Sequence, residues 1–243
     1  EREKAAILAK NEQLRANLLR SISHDLRTPL TSISGNAGIL LSNGDTLKQE
    51  KKQQLYSDIY DDALWLINLV ENLLAVTKIE EGSMHLKMSA ELMDEVITEA
   101  LHHVNKKKDE HTIKVVQTED FILAKMDARL IVQVIINIVD NAIKYTPTGS
   151  TITISTTKKD KQVIVDIADD GPGIPDQAKE RIFDMFYIAP NEVVDSHRSL
   201  GLGLALCKSI INAHGGEISV LDNKPKGTVF RFTLPAEEVN LYE

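Results

Sequence analysis

Residues with chemical capacity stand in short groups along this chain, and the first is Ser21 to Leu30, SISHDLRTPL. There His24 sits beside Asp25, and Thr28 follows one helical turn later at i+4. A neutral imidazole is a nucleophile, and a neighbouring carboxylate can take its proton. On a helix of about 100° per residue, Leu19, Ile22, Leu26, Leu30, Ile33, Ala37 and Leu40 share one arc of roughly 80°. His24 lies on the other side, with Asp25 and Thr28 flanking it. Taken alone, the pattern favours a solvent-facing histidine on an amphipathic helix.

The second group is on a predicted helix over 128–145. Asn137, Asn141, Lys144 and Tyr145 share an arc of about 100°, opposite Ile131, Ile135, Val139, Ala142 and Ile143. Amide oxygens are hard ligands that suit Mg²⁺, an ammonium suits phosphate, and an aromatic ring suits a purine. A solvated face with incidental asparagines has the same appearance. The third group, Asp169-Asp170-Gly171-Pro172-Gly173-Ile174-Pro175, directly follows a predicted strand. Its glycines let backbone approach a ligand, and Asp169 can accept a hydrogen bond from an exocyclic amine. In the fourth, Gly201-Leu202-Gly203-Leu204 opens a helix whose free N–H groups suit an anion. Between the last two runs a long aperiodic stretch containing Phe183-Asp184-Met185-Phe186, the kind of loop that often serves as a lid.

The elements that must position these groups fall into two parts. Residues 1 to about 42 read as one long helix with a kink expected at Pro29, and 42–45 as a turn. A second helix over about 47–81 carries Leu55, Ile59, Ala63, Leu66, Val70, Leu73 and Thr77 in steps of four and three. Two matching stripes joined by a short loop make an antiparallel hairpin, and doubling it into a four-helix bundle buries both; a homodimer is therefore expected. Glu81-Gly82-Ser83 closes this part. Beyond it come a strand near 85–88, a helix at 91–105, strands near 113–117 and 121–126, and the helix at 128–145. Strands near 151–157 and 162–168, a helix at 202–213 and strands near 217–221 and 227–234 complete the pattern. The fold expected is a helical hairpin over 1–82 followed by a two-layer α/β sandwich over 83–243, with helices on one face of a mixed sheet.

At 243 residues the chain holds one or two domains with a real core. A net charge of -8 without a Lys/Arg-dense stripe argues against nucleic acid as the main partner. Cys207 is the single cysteine, which excludes an internal disulfide and favours a reducing compartment. The longest apolar candidate, Leu130 to Ile143, is interrupted by Gln133, Asn137, Asp140 and Asn141, so no membrane span is expected. There is no signal-peptide pattern, and the charged helical start without Met reads as a fragment of a longer protein.

In this order and spacing, the groups resemble the transmitter module of a sensor histidine kinase, over nearly the whole chain. SISHDLRTPL resembles the phosphoacceptor motif, 137–145 the N motif, Asp169 to Gly173 the first glycine motif, Phe183 to Phe186 the paired-Phe motif, and Gly201 to Gly203 the second glycine motif. The segments LLRSISHDLRTPLT and GTVFRFTLP are similar to the potassium-responsive branch of the family. The resemblance implies a dimerisation and histidine-phosphotransfer hairpin followed by a Bergerat (GHKL) ATP-binding domain. It also implies autophosphorylation of His24 from ATP, with Asp25 as base, then transfer to an aspartate of a response regulator. Thr28 matches the residue associated with the reverse, phosphatase reaction. Asn141 and Asn137 would hold Mg²⁺ with the phosphates, Lys144 would contact phosphate, Tyr145 would pack on the nucleoside, and Asp169 would read the adenine amino group. Gly171 and Gly173 would shape the base site, and Gly201 to Leu204 the phosphate site. The family further implies the cytoplasmic portion of a membrane-bound sensor, attached through a region absent here.

Bergerat ATPases such as gyrase and Hsp90 resemble Glu-x-x-x-Asn where this chain has Asn137 to Asn141. An amide cannot take a proton from water at neutral pH, so direct hydrolysis should be poor. Two positions depart from the family pattern. Ile188 stands where many relatives carry a phosphate-reaching arginine, for which Arg198 or His197 would be the substitute cation, and Ser199 stands where a glycine is usual. Two alternatives follow: a nucleotide-binding signalling scaffold with weak kinase activity, or an ATPase of the wider Bergerat class.

Overall fold

The computed structural model describes residues 23, 26–80, 86–104, 110–119, 121–185, 187 and 201–238. His24 and Asp25 lie outside these, as do Phe186, His197, Arg198, Ile188 and Ser199. The described residues divide into a helical unit up to Leu73 and an α/β unit from Leu74.

In the helical unit, α1 (26–43) runs unbroken through a buried Pro29, and α2 (Gln49–Glu80) follows. The turn between them is closed on one acceptor. The Asn43 carbonyl takes hydrogen bonds from the N–H groups of Thr46 (3.0 Å) and Leu47 (3.2 Å). It also takes one from the Thr46 hydroxyl at 2.9 Å. On α2 the expected stripe divides: Leu55 is buried, Ile59, Ala63, Leu66 and Leu73 are half-buried, and Val70 is exposed; outside the stripe Leu69 is buried and Tyr56, Tyr60, Leu64 and Ile67 are exposed. On α1, Leu30 is also exposed. A single chain thus covers only one flank of the apolar surface that the spacing marks out.

The α/β unit runs β1 (Ser89–Leu92), α3 (Met93–His103), β2 (Thr112–Gln117), β3 (Leu123–Met126), α4 (Ala128–Tyr145), β4 (Thr151–Lys159), β5 (Gln162–Asp169), α5 (Asp176–Lys179), α6 (Gly203–Ala213), β6 (Ile218–Asp222) and β7 (Thr228–Pro235). The main sheet has the order β2-β4-β5-β7-β6. Only β2 and β4 are parallel; the other neighbours are antiparallel. The expected mixed sheet is therefore present, but β1 and β3 pair in a separate two-stranded sheet. The first strand also begins later than the spacing predicts. Residues 86–88 form no strand, because the Lys87 N–H is drawn to the Asp127 carboxylate at 3.1 Å, and pairing starts at Ser89 opposite Met126.

Period-2 alternation places Ile152 and Ile154 of β4, Val163, Val165 and Ile167 of β5, and Phe230, Phe232 and Leu234 of β7 in the core. The helices α4 and α6 lie against this face, with Ile131, Ile135, Leu206 and Ile210 fully buried. Each such aliphatic side chain contributes about 1.5–3 kcal/mol by leaving water.

α6 is tied to the start of α4 by a buried histidine. His214 donates from Nδ1 to the Ile210 carbonyl (2.8 Å), and its Nε2 accepts the Asp127 N–H (3.0 Å). The two bonds suit one tautomer, with the proton on Nδ1. Burial raises the Asp127 carboxyl, yet the Lys87 N–H and the Arg129 guanidinium hold it below the usual carboxylate range. His214→Phe strands the buried Asp127 N–H and should lower stability by about 1–3 kcal/mol. His214→Gln, whose amide oxygen reaches the Nε2 position, should recover part of that loss. Urea unfolding midpoints check both; an unchanged midpoint for His214→Phe contradicts the role.

Candidate functional site

The polar sector of α4 is the floor of the site. Ile131, Ile135, Val139, Ala142 and Ile143 are buried as the spacing predicts, while Asn137, Asn141 and Tyr145 are half-buried and Lys144 is exposed. The sector is smaller than the spacing suggests, because Val134, which falls within the same arc, is fully buried. α6 is the cause: the Cys207 thiol points at the Val134 carbonyl at 3.8 Å. Burial is the main influence on the Cys207 thiol and pushes it up to about 12. The Lys144 ammonium lies 5.4 Å from the centroid of the Tyr145 ring.

The second glycine run meets this floor. A side chain at Gly203 would touch Asn137, 3.8 Å from its Cγ, so the N-terminal end of α6 and the Asn137 amide adjoin. Asn137 Nδ2 is buried and has no hydrogen-bond partner among the described residues. A buried amide N–H without a partner costs about 1–3 kcal/mol, which an incoming acceptor would offset. Gly201 has φ +63. Leu202 is buried and Leu204 packs on the core, so these two anchor α6 and leave ligand approach to backbone.

The other wall is built on Asp169. It continues the inward series Val163, Val165, Ile167 of β5, which makes it a core-facing carboxylate, 7% exposed. Oδ1 accepts the N–H groups of Gly171 (2.9 Å) and Thr228 (3.2 Å). Among the described residues no donor reaches Oδ2, which stays available to a ligand amine. Burial is the main influence on this carboxyl and lifts it above the usual range, aided by Asp170 and opposed by the two N–H groups. Asp170 is turned away, with both oxygens 3.1 Å from the Thr151 N–H. A Cβ at Gly171 would lie 2.6 Å from Thr146 Cγ2, so only glycine fits between Asp169 and the end of α4. Gly173 takes φ +82 in the same loop.

Asn137 and Gly203 are thus neighbours, and Asp169 and Gly171 are coupled through a shared hydrogen bond. Thr28 is on the exposed side of α1 in the other unit. His24 and Asp25 lie outside the described residues. Thr146, Asn223, Gly227 and Thr228 were not apparent from sequence. Thr146 receives the Asp169 loop at Gly171, its hydroxyl donating to the Ala142 carbonyl (2.7 Å) and lying 3.0 Å from His111 Nε2. Thr228 could be found only from the β5–β7 register, which sets it beside Asp169. No group of three or more His, Cys, Asp or Glu that could hold a metal occurs among the described residues.

Comparison with known proteins gives two family matches. Residues 14–82 match the His Kinase A (phospho-acceptor) domain, and residues 126–238 the histidine kinase-, DNA gyrase B-, and HSP90-like ATPase. The sensor protein KdpD of Clostridium acetobutylicum is 47% identical over 237 residues, covering 98% of this chain and 26% of that protein. The chain therefore spans about a quarter of the length of that relative. Among solved structures, the catalytic domain of histidine kinase ThkA is 30% identical, with 61% of this chain and 95% of that chain covered at a TM-score of 0.54. ThkA in complex with the response regulator protein TrrA is 26% identical, with 94% and 64% covered at a TM-score of 0.67.

The state of Asp169 has a measurable consequence. Its folded form holds a proton more tightly than the unfolded chain, so its contribution to stability falls as pH rises from the ordinary value of 3.8 through its raised one. Asp169→Asn keeps an oxygen for both N–H groups and removes the buried charge. The variant should be at least as stable as wild type at pH 7, with the difference vanishing below pH 3.8. Thermal melts across pH check this; a variant clearly less stable at pH 7 contradicts it.

Proposed function

The chain belongs to the sensor histidine kinases, and from that membership we propose that it binds ATP, phosphorylates its own His24 and passes the phosphoryl group to an aspartate of a response regulator. The observation that carries the reading is Asn137: a half-buried amide beside Gly203, with an unsatisfied N–H, where water activation would need a carboxylate. Such a site can hold a triphosphate but supplies no base for water.

In this reading Asp169 Oδ2 accepts the adenine amino group, and Tyr145 packs on the nucleoside. Lys144 and the backbone of 201–204 meet the phosphates. Asn141 and Asn137 are neutral oxygen donors, and no acidic cluster stands among the described residues, so Mg²⁺ would be shared with the phosphate oxygens. The ion would supply charge neutralisation on the triphosphate. One ring nitrogen of His24 attacks the γ-phosphorus while the bond to the leaving oxygen of ADP breaks, and Asp25 takes the proton from the other nitrogen. Thr28 would place water for dephosphorylation.

The working unit is a homodimer with the helical part over 1–82 and the catalytic part over 83–243. The exposed Leu30, Leu64, Ile67 and Val70 support it, since they are an apolar surface that a second copy would cover. The partner is a response regulator, as in the ThkA complex. ATP and receiver domains are cytoplasmic reagents, so this part belongs on the cytoplasmic side of a longer membrane-bound sensor. No helix among the described residues is long and apolar enough to cross a membrane.

Incubation with γ-labelled ATP and Mg²⁺ should leave acid-labile label on the protein, abolished by His24→Ala. ATP binding without labelling would favour the scaffold suggested by Ile188 and Ser199, and phosphate release that survives His24→Ala an ATPase. Asn141→Asp puts a carboxylate beside the triphosphate, and autophosphorylation should fall at least tenfold (roughly 1.4 kcal/mol) while the dimer persists. A monomeric variant in light scattering would show that the two parts do not divide these tasks.

A further inference from the structure

The Asp169 carboxylate is fixed on one oxygen by two N–H groups, but that fixes its direction only if the main chain at residue 169 is itself held. Asp169 is the last residue of β5: it still pairs with Ile152 of β4, but on the other side the β5–β7 pairing ends one residue earlier, at Ala168 opposite Val229, which leaves the β7 side of its main chain without a strand partner. The backbone of Gly227 then passes so close that a Cβ there would lie 1.9 Å from the Asp169 carbonyl oxygen. That oxygen is instead met by a side chain from the β6–β7 turn: Asn223 Nδ2 donates to it at 2.7 Å.

Asn223 is held in that orientation. Its Oδ1 accepts the Lys224 N–H at 2.9 Å, and its own N–H donates to the Gly227 carbonyl at 3.0 Å. With Oδ1 occupied by a donor, the amide can present only Nδ2 to the Asp169 carbonyl. The same short turn therefore grips Asp169 twice, through Asn223 on the carbonyl and through the Thr228 N–H on the carboxylate.

We propose that Asn223 is a positioning residue for nucleobase selection, capping the Asp169 carbonyl so that Oδ2 keeps a fixed direction toward the base. The inference rests on Asp169 reading the exocyclic amine. A fixed carboxylate accepts from the 6-amino group of adenine and repels the 6-oxo group of hypoxanthine. A carboxylate on a loosened main chain can swing aside, which weakens the first contact and relieves the second. Asn223 thus acts on the ratio of affinities, whereas a general loss of fold would lower both alike.

Calorimetric titration of the full chain with ADP and with IDP measures that ratio, and circular dichroism monitors folding. Wild type should prefer ADP. Asn223→Ala should reduce the preference about three- to tenfold, mostly through weaker ADP binding, as loss of one well-placed hydrogen bond would. Asn223→Asp keeps an oxygen for the Lys224 N–H, and so the turn, but sets an acceptor against the Asp169 carbonyl; it should lose at least as much preference. A preference kept at the wild-type value in both variants overturns the role of Asn223 and leaves Asp169 as the base reader. Equal binding of ADP and IDP by wild type overturns both readings, and equal weakening of the two nucleotides in both variants assigns Asn223 a structural role only.

Discussion

A carboxylate on the core-facing register of a strand must be satisfied by its neighbours, and Asp169 sets that demand for the α/β unit. Alternation along β5 carries it inward after Ile167, where water cannot solvate it. Its protein partners are main-chain N–H groups. Turns on both sides of the strand end supply them, one at Gly171 and one at Thr228. The close approach at Gly171 follows from the same requirement, since a Cβ there would lie 2.9 Å from the carboxylate oxygen that its N–H must reach. A ligand amine then meets one free oxygen whose direction is already set, which is what preorganisation means at this site.

The opposite wall depends on packing. α4 is covered by the sheet on one side and by α6 along another, so its polar residues are confined to the strip that remains. His214 fixes one end of the α4–α6 contact, and the other end brings Gly203 to Asn137. Leu202 and Leu204 hold the start of α6 down, which leaves its backbone as the surface facing the strip. The floor and the base-reading wall therefore arise from different forces, apolar burial in one and hydrogen-bond satisfaction in the other.

Helix α4 was legible from sequence to the residue, because its apolar periodicity is long and regular. The strands β4, β5 and β7 were legible within a residue or two for the same reason. Less could be read where pairing across the chain decides: a start for β1 at Ser89 depends on Lys87 engaging Asp127, forty residues on. Asp169 was legible as a chemical group, but its burial needs the inward register of β5. Its supports are distant in sequence: Asn223 carries no pattern of its own, and Thr228 stands in a segment read only for its likeness to the family. The hairpin's stripe was visible, but not which flank of it α1 would cover.

Cys207 has a practical consequence. Its thiol is fully buried between α6 and α4, directed at the Val134 carbonyl and beside Asn137, with ionisation displaced upward to about 12. Thiolate chemistry at this position is therefore closed while the two helices stay together. Alkylation of the chain's single sulfur becomes a clock for their separation: each labelling event records one opening of the floor of the site, and the rate reads out how often that floor breathes.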